Sequence, residues 1–281
     1  MLSSVVFLWS SSFTLLKLGI EEIPPITLAF LRFLIVLPFL TGFTYGRHRH
    51  LSGGNILKDW KIFSMLGLTG ITLYHVFQNL GLQLTTASNS SLMICANPVF
   101  IALLDHFYTK ERLATKRVLG IALAFSGVVL VVRPLDWSVS RLEIAGNLLS
   151  LGAGLSWAFY SVFGRKVLAY HGADKVTVFS MAYGTLFLLP AALALEKPVL
   201  PASAWAWVLL LILSLFCSGL AYLFWSKALE DVSATEAGVF LFFIPLVSVS
   251  VAHLVLAESL DILWGGGALL VMAGVVMTER G

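Results

Sequence analysis

The chain has 281 residues, of which 58% are hydrophobic and only 12% are charged, and its mean hydropathy is +0.91. A soluble domain carries roughly twice that charged fraction, so the composition excludes a soluble protein. The net charge of +3 says little about partners by itself, and we expect no nucleic-acid binding. Cys95 and Cys217 fall inside apolar runs, where cysteine behaves as a small buried hydrophobe. We therefore expect no disulfide, metal site or cofactor.

Apolar runs recur along the whole chain, each about 20 residues long, which is enough to cross roughly 30 Å of hydrocarbon. Proline and glycine residues lie in or beside the short connections, where helix breakers are expected. No second soluble domain fits between the runs. Ten membrane spans are predicted, at about 2–20, 25–45, 61–82, 87–107, 115–132, 144–164, 176–195, 203–226, 233–256 and 262–278.

The first span resembles a secretory signal peptide in its position. It has no basic residue at its start, however, and Glu21 and Glu22 stand where a signal peptide would have small residues for cleavage. Trp9 also has a counterpart in Trp157, at the start of the second half of the chain. We therefore expect a retained first helix.

The distribution of Lys and Arg predicts the orientation of the spans. If the N-terminus is inside, 13 of the 18 basic residues lie on the cytoplasmic side, and the outer connections hold only Arg133, Arg141 and Lys197. This asymmetry follows the positive-inside rule. The short loops and the absence of a targeting segment favour a cell inner (plasma) membrane with both termini cytoplasmic.

An internal repeat with an offset of 147 residues runs through the sequence. Pro98, in the segment from Thr86 to Leu113, pairs with Pro245, and Glu111 pairs with Glu258. Because the repeat unit is about half of the chain, the sequence indicates a duplicated membrane domain. Further pairs at the same offset are Ala87 with Ala234, His106 with His253, Leu113 with Leu260, Gly120 with Gly267, Gly127 with Gly274 and Arg133 with Arg280.

Each half contains five predicted spans, an odd number, so the second copy should enter the membrane in the opposite orientation to the first. Two halves related by an axis in the membrane plane occur in many secondary transporters. The predicted fold is an all-α integral membrane protein with ten transmembrane helices in two inverted five-helix repeats, residues 1–133 and 144–281.

Several motifs resemble those of one membrane-protein family. They are Trp9 to Lys17 (WSSSFTLLK), Pro24 to Phe33 (PPITLAFLRF), Thr86 to Leu113 with its ANP and KERL, Gly120 to Val129 (GIALAFSGVV), Ser156 to Tyr160, Ala221 to Trp225, Ser233 to Pro245, and Ala257 to Leu260. In this paired order they resemble the EamA branch of the drug/metabolite transporter superfamily over essentially the whole chain. The resemblance implies ten helices in two EamA repeats and a transport function. The family resembled includes exporters of amino acids, among them aromatic ones, and of other metabolites.

Pro98 and Pro245 lie near the centres of the fourth and ninth predicted spans. Each removes an N–H donor and crowds the carbonyl four residues earlier, so both helices are predicted to kink. Paired interruptions at corresponding depth indicate a binding site near the bilayer midplane. If neighbouring helices satisfy the freed carbonyl groups, the kinks would instead serve packing alone. The sequence leaves both interpretations open.

Aromatic and polar residues share particular helical faces, as at the i, i+4 and i+7 positions of Ser218, Tyr222 and Trp225. Tyr and Trp are also typical of the membrane interface, but a phenol deep in a span needs a partner. An apolar, aromatic-walled cavity with a few polar groups suits a solute with a large apolar part and a small polar head. The candidate substrate-binding residues are Trp9, Tyr74, Gln78, Asn97, Trp157, Tyr160, Ser218, Tyr222, Trp225, Phe243 and Ser248, with Pro98 and Pro245 as kink or gating residues.

Two basic residues, Arg32 and Lys17, fall within predicted spans, where ionisable residues are functional candidates by default. Arg32 could pair with a substrate carboxylate or take part in a proton relay, or it could anchor a backbone carbonyl. Lys17 lies near the outer end of its helix and can extend its ammonium group to the interface. Asp105 and His106, near the other end of the fourth span, could form a gate or proton site, but we expect them to be locally solvated.

Other features have structural interpretations. Ser233 and Glu236 form a capping box at the start of the ninth span. Glu111 and Glu258 begin short turns and are expected to hold the helix that follows each of them. The glycine pairs of the fifth and tenth spans, seven residues apart in each, are expected to give flat faces for close helix packing.

The leading hypothesis is a secondary transporter that exports amino acids (aromatic or otherwise apolar) or similar small metabolites, by alternating access around a central cavity. A sugar-phosphate or nucleotide-sugar carrier is the alternative within transport, and it would need several converging basic residues. A non-transporting membrane partner is a further alternative and would have a fully packed core. We expect no enzyme, because no HExxH or GxSxG motif lies in a span, and no direct use of ATP, because there is no P-loop. The expected partners are a small-molecule substrate and the lipid bilayer, and a monomer fits the sequence.

Overall fold

The structure is a computed structural model, and residues 1–47, 59–109, 114–132, 139–231, 241, 243–258 and 262–280 are described. All regular secondary structure in these ranges is helical. The helices are α1 (Leu2–Gly19), α2 (Pro25–Arg47), α3 (Trp60–Gly67), α4 (Tyr74–Leu84), α5 (Ala87–Cys95), α6 (Asn97–Thr109), α7 (Thr115–Val132), α8 (Arg141–His171), α9 (Ala173–Leu195), α10 (Ala204–Ile212), α11 (Ala221–Asp231), α12 (Phe243–Leu256) and α13 (Ile262–Arg280). Two π-helical segments, π1 (Leu68–Leu73) and π2 (Leu213–Leu220), join α3 to α4 and α10 to α11.

Helices occupy the predicted spans wherever those spans are described. The fifth predicted span and α7 have the same bounds, and α1, α2 and α13 end within a few residues of their predictions. The third and eighth predicted spans each contain a π segment, which the sequence analysis did not predict. Glu111 and the capping box of Ser233 and Glu236 lie outside the described residues.

Four of the described helical segments are long and apolar enough to cross a bilayer: Leu2–Gly19, Pro25–Thr44, Asp174–Leu195 and Ala204–Trp225. Two shorter apolar helices cover Phe243–Leu256 and Ile262–Thr278. Large apolar side chains remain exposed on the outside of the bundle, among them Phe39, Leu193, Leu254 and Leu269. An apolar outer surface of this kind suits contact with lipid, and the helices satisfy their backbone hydrogen bonds internally.

The helices of the two halves pack against each other in a regular pattern. α8 packs against α4, α5 and α6, whereas α1 packs against π2, α11 and α12. α2 packs against α9, and α7 packs against α13. The first-half helices therefore make extensive contacts with the second half.

The α7–α13 contact depends on glycine. A Cβ atom added to Gly120 would lie 2.6 Å from the backbone nitrogen of Thr278 and 2.7 Å from the carbonyl oxygen of Gly274. A Cβ atom on Gly127 would lie 2.6 Å from the carbonyl oxygen of Gly267. The two backbones are therefore too close for a side chain at these positions, and the predicted glycine packing face is confirmed.

Glutamate carboxylates bind the backbone N–H groups at two helix starts, where the helix dipole favours an anion. Glu258 accepts hydrogen bonds from the backbone nitrogens of Ala87 at 2.7 Å and Ser88 at 3.1 Å, and from Ser88 Oγ at 2.5 Å. Glu196 accepts two backbone N–H hydrogen bonds at the start of α2, both 2.8 Å long. Glu258 was expected to hold the helix that follows it, and in the structure its carboxylate caps α5 in the first half.

Candidate functional site

Six aromatic side chains from α1, α4, α8 and α11 meet inside the bundle, and we call them the aromatic cluster. All six were predicted as candidates from the sequence. The members of the aromatic cluster are Trp9, Tyr74, Trp157, Tyr160, Tyr222 and Trp225. The structure therefore brings together residues that are up to 216 positions apart in the chain.

Trp9 lies at the centre of the aromatic cluster. Its ring centroid is 6.3 Å from that of Trp157, 5.6 Å from that of Tyr222 and 5.5 Å from that of Trp225. The first two contacts are edge-to-face, an arrangement favoured by the ring quadrupoles. Trp157 continues the series, with centroid distances of 5.4 Å to Tyr74 and 5.1 Å to Tyr160. The six rings thus form one connected group.

Tyr74 and Tyr160 are surrounded by protein, yet each side chain keeps accessible surface. Trp9, Trp157 and Trp225 are likewise only half-buried. The rings of the aromatic cluster are therefore packed against one another without being fully enclosed. The cluster is therefore suited to contact with a solute, because flat ring faces give a large apolar surface with few rotatable bonds.

Two buried polar pairs, Arg32 with Ser218 and His75 with Gln78, each have one member against the ring of Phe33, and we call these four residues the polar cluster. Each has at most 3% of its surface exposed. Arg32 Nε donates a hydrogen bond to Ser218 Oγ. His75 Nδ1 lies 3.1 Å from Gln78 Oε1, and His75 Nε2 is buried without a hydrogen-bond partner among the described residues.

The polar cluster adjoins the aromatic cluster on two sides. The imidazole of His75 is 4.8 Å from the ring of Tyr74, centroid to centroid. Ser218 follows Cys217, and the carbonyl of Cys217 accepts a hydrogen bond from Trp9 Nε1 at 3.2 Å. One region of the bundle therefore offers an aromatic wall beside a buried cation and a buried imidazole.

Both π segments help to place these groups. π2 contains Cys217 and Ser218, and π1 ends at Leu73, immediately before Tyr74 and His75. At the 147-residue repeat offset, π1 corresponds in sequence to the last six residues of π2. π-helical turns are rare and occur frequently at functional sites. Their presence in both halves at one position is the feature that the sequence analysis missed.

His75 was not among the predicted site residues. The repeat offset contained a signal for it, because His75 occupies the position of Tyr222 in the other half, as Gln78 occupies that of Trp225. The two halves therefore contribute unlike groups at equivalent positions. One half supplies a hydrogen-bonded polar pair, and the other supplies a phenol and an indole.

The fourth predicted span is interrupted where the sequence predicted it. α5 ends at Cys95 and α6 begins at Asn97, with Ala96 between them. The Ala96 N–H bonds to the carbonyl of Met93 at 3.2 Å, a tighter turn than that of an α-helix. The side chain of Pro98 is outside the described residues, and its gating role stays a prediction.

The ninth span is described only in part. Pro245 lies in the first turn of α12 and is buried. A kink at that proline would involve the residues before Phe243, most of which are not described, so the second interruption stays a prediction.

Three predicted substrate residues are not connected to the clusters. No hydrogen bond or ring contact among the described residues joins Asn97, Phe243 or Ser248 to either cluster. Phe243 is 52% exposed, and Ser248 is fully buried with a hydroxyl that has no described partner. Helical spacing alone does not decide which face of α12 turns inward.

Lys17 has a structural contact at the end of α1. Its ammonium group donates to the carbonyls of Leu82 and Thr85, both at 2.5 Å. These carbonyls lie at the C-terminal end of α4, where a cation interacts favourably with the unpaired carbonyls. Its side chain thus ties α1 to the connection between α4 and α5. In the part of the chain that is described, no cluster of His, Cys, Asp or Glu could hold a metal ion.

Comparisons with known proteins agree with this architecture. A protein of known crystal structure superposes with a TM-score of 0.68 over 98% of this chain and 94% of its own, at 22% identity, which shows a shared fold. An uncharacterized transporter of Archaeoglobus fulgidus is 34% identical to the chain, over 99% of this chain and 96% of the relative. A probable amino-acid metabolite efflux pump of Salmonella typhimurium is 27% identical, with 99% and 93% covered.

The family profile of the EamA-like transporters matches residues 1–133 and 144–280, which is nearly the whole chain. The relatives are named as transporters, and the apolar helices described above fit a bilayer. The chain therefore belongs to the EamA-like transporter family and is a multi-pass membrane protein.

Proposed function

We propose that the protein is a secondary transporter that exports amino acids (aromatic or otherwise apolar) or similar small metabolites across the cell inner (plasma) membrane. The single observation that supports the substrate class is the aromatic cluster, which adjoins the polar cluster inside the bundle. This region is apolar on one side and polar on the other. A solute with an apolar body and a small polar head would fit both sides.

The helix packing supports an architecture of two inverted repeats, residues 1–133 and 144–281, with ten spans. If the first five spans exchange places with the last five, the contacts of α8 with π1, α4 and α6 become those of α1 with π2, α11 and α12. α2 and α9 are equivalent helices of the two halves, as are α7 and α13, so the α2–α9 and α7–α13 contacts are unchanged by the exchange. A packing pattern that survives the exchange is expected for two homologous halves. Rocking one half against the other would then give alternating access.

The side of the bundle predicted to face outward is tied together by polar contacts. Glu258 caps α5, Lys17 binds carbonyls at the end of α4, and Asn89 Nδ2 donates to Glu143 Oε1 at 3.2 Å. Thr85 Oγ1 donates to Asn147 Oδ1 at 2.7 Å. The Lys17 contact lies within the first half, and the others join α5 and its start to α8 or to Glu258. We propose that together they form the closed outer gate of a transporter with cytoplasmic termini.

Alternative functions fit these groups less well. A sugar-phosphate carrier needs several converging cations, and Arg32 is the basic member of the polar cluster as described. A purely structural partner protein needs a packed core, whereas the rings of Tyr74 and Tyr160 keep accessible surface deep in the bundle. An amino-acid exporter therefore fits the described groups better, and the name of one relative, a probable amino-acid metabolite efflux pump, agrees with it.

Counterflow in proteoliposomes tests the proposal. Liposomes containing the purified protein are loaded with one unlabelled amino acid at a time, and uptake of the labelled amino acid is measured. Aromatic and branched amino acids should accumulate transiently, whereas empty liposomes should show none. If folded protein moves none of them, the assignment is wrong, and phosphorylated metabolites become the next panel.

A further inference from the structure

We propose that Arg32, together with Ser218, forms a carboxylate-binding subsite beside His75, so that the transported solute must carry a carboxylate attached to its apolar body. This inference rests on the proposed function, and it goes further by assigning the polar end of the substrate to named groups. The subsite lies beside the aromatic cluster. The ligand class that the subsite would bind is a monocarboxylate.

The first argument is the burial of Arg32 without an anion. Its side chain is 3% exposed, and the hydroxyl of Ser218 is its hydrogen-bond partner among the described residues. A guanidinium group carries five N–H donors, and Ser218 uses one of them. No described carboxylate forms an ion pair with Arg32. Leaving a buried charge uncompensated is strongly unfavourable, so a charged ligand that completes the pair is favoured.

The second argument is the set of groups near Arg32. The side chains of Cys217, Tyr222 and Tyr74 interact with it electrostatically, and none of them is a carboxylate. Phenol hydroxyls can donate to a carboxylate, and arginine binds a carboxylate through two parallel N–H donors. The environment therefore holds donors for an anion and no anion of its own among the described residues.

The third argument is His75. Its imidazole is packed between the rings of Phe33, at 4.6 Å, and Tyr74, at 4.8 Å, and Gln78 orients its Nδ1. Its Nε2 is buried with no described partner, although most buried polar atoms have one. Gln78 Oε1 can only accept, so Nδ1 donates to it, and Nε2 of the neutral imidazole then presents a lone pair that can accept a hydrogen bond from a ligand N–H or O–H group.

Position links the subsite to the aromatic cluster. The neighbour of Ser218 in the chain, Cys217, accepts the hydrogen bond of Trp9, and the ring of Tyr74 contacts that of Trp157. A carboxylate held at Arg32 would thus leave its apolar body beside the central rings. The polar cluster would then bind the carboxylate of a solute, and the aromatic cluster would bind its apolar body.

The test compares four ligands with the same phenyl ring: L-phenylalanine, 3-phenylpropionate, phenethylamine and L-phenylalaninamide. Affinity is measured by calorimetry on the full-length protein in detergent, and counterflow is measured for the same compounds. The wild type should bind the two carboxylates about 30-fold or more tightly than the two compounds lacking one, since truncating a buried charge pair has an effect of that size. Arg32→Gln should abolish this preference, and Ser218→Ala should weaken it.

The exposed Arg141→Gln variant is the matched control and should keep the wild-type preference. Equal affinity of the wild type for phenethylamine and phenylalanine would overturn the carboxylate subsite while leaving the proposed function intact. Absence of both binding and counterflow for every amino acid would overturn the proposed function itself. If Arg32→Gln fails to fold, the ligand series on the wild type still decides between the first two outcomes.

Discussion

The indole nitrogen of Trp9 donates a hydrogen bond to the carbonyl oxygen of Cys217, 3.2 Å away and 208 residues along the chain. This contact joins the first helix of one half to the π-helical segment of the other. The Trp9 ring also contacts Trp157, Tyr222 and Trp225. One side chain therefore connects three elements of the second half to α1.

Replacing Trp9 with Phe should weaken both the fold and the site. The change removes the indole donor, which is worth about 0.5–1.5 kcal/mol in stability, and it reduces ring contacts worth a further 0.5–1.5 kcal/mol or so in ligand binding. Thermal unfolding and calorimetric titration with an aromatic amino acid measure the two effects. Phe7→Leu is the control, because Phe7 is 59% exposed on the same helix. Equal losses in both variants would contradict a central role for Trp9.

Replacing Glu258 with Gln should loosen the end of the bundle predicted to face outward. The carboxylate accepts three hydrogen bonds from the start of α5, and an amide cannot accept them all with equal strength. We expect a loss of about 1–3 kcal/mol in the free energy of unfolding, the range for a hydrogen-bonded charge. Glu21→Gln, at an exposed carboxylate near the end of α1, should change stability by less than about 0.5 kcal/mol. An unchanged melting temperature in Glu258→Gln would show that the cap contributes nothing.

Adding a methyl group at Gly120 should separate α7 from α13. The new Cβ would lie 2.6 Å from a backbone nitrogen of α13, so the helices must move apart, at a cost of about 1–3 kcal/mol. Gly265→Ala is matched in chemistry but meets nothing within 4 Å. Alanine there should stabilise α13 slightly, because glycine weakens a helix interior by roughly 0.5–1 kcal/mol. Thermal unfolding of both variants distinguishes packing from helix propensity.

Cysteine labelling tests the predicted inverted topology. In a background without Cys95 and Cys217, Lys116→Cys should be protected from an impermeant thiol reagent in intact cells, and Lys197→Cys should react. Both positions are exposed in the structure, so only the membrane can protect them. Labelling of Lys116→Cys from outside would contradict cytoplasmic placement of that end.

The sequence predicted the parts of this site that depend on local helix geometry. The spacing of Ser218, Tyr222 and Trp225 places them on one side of a helix whatever surrounds it, and the structure brings Tyr222 and Trp225 to the aromatic cluster. Phe243 was also a predicted site residue, but its side chain is 52% exposed. Spacing defines a face, and long-range packing decides where that face points.

The remaining features depend on contacts that no local pattern encodes. A π segment adds a residue to a helical turn without any required residue type, so π1 and π2 were not predicted from apolar runs. The partner of Glu258 lies 171 residues away at Ala87. His75 became a candidate only when its ring was found between those of Phe33 and Tyr74.

The most direct measurement is counterflow of a labelled aromatic amino acid by Tyr222→Ala and Tyr170→Ala in proteoliposomes. Tyr222 is 6% exposed within the aromatic cluster, whereas Tyr170 is 87% exposed on α8. If the cluster is the substrate site of a transporter, the wild type and Tyr170→Ala should show equal counterflow, and folded Tyr222→Ala should lose most of it. Full counterflow by Tyr222→Ala, or none by the folded wild type, would contradict that claim.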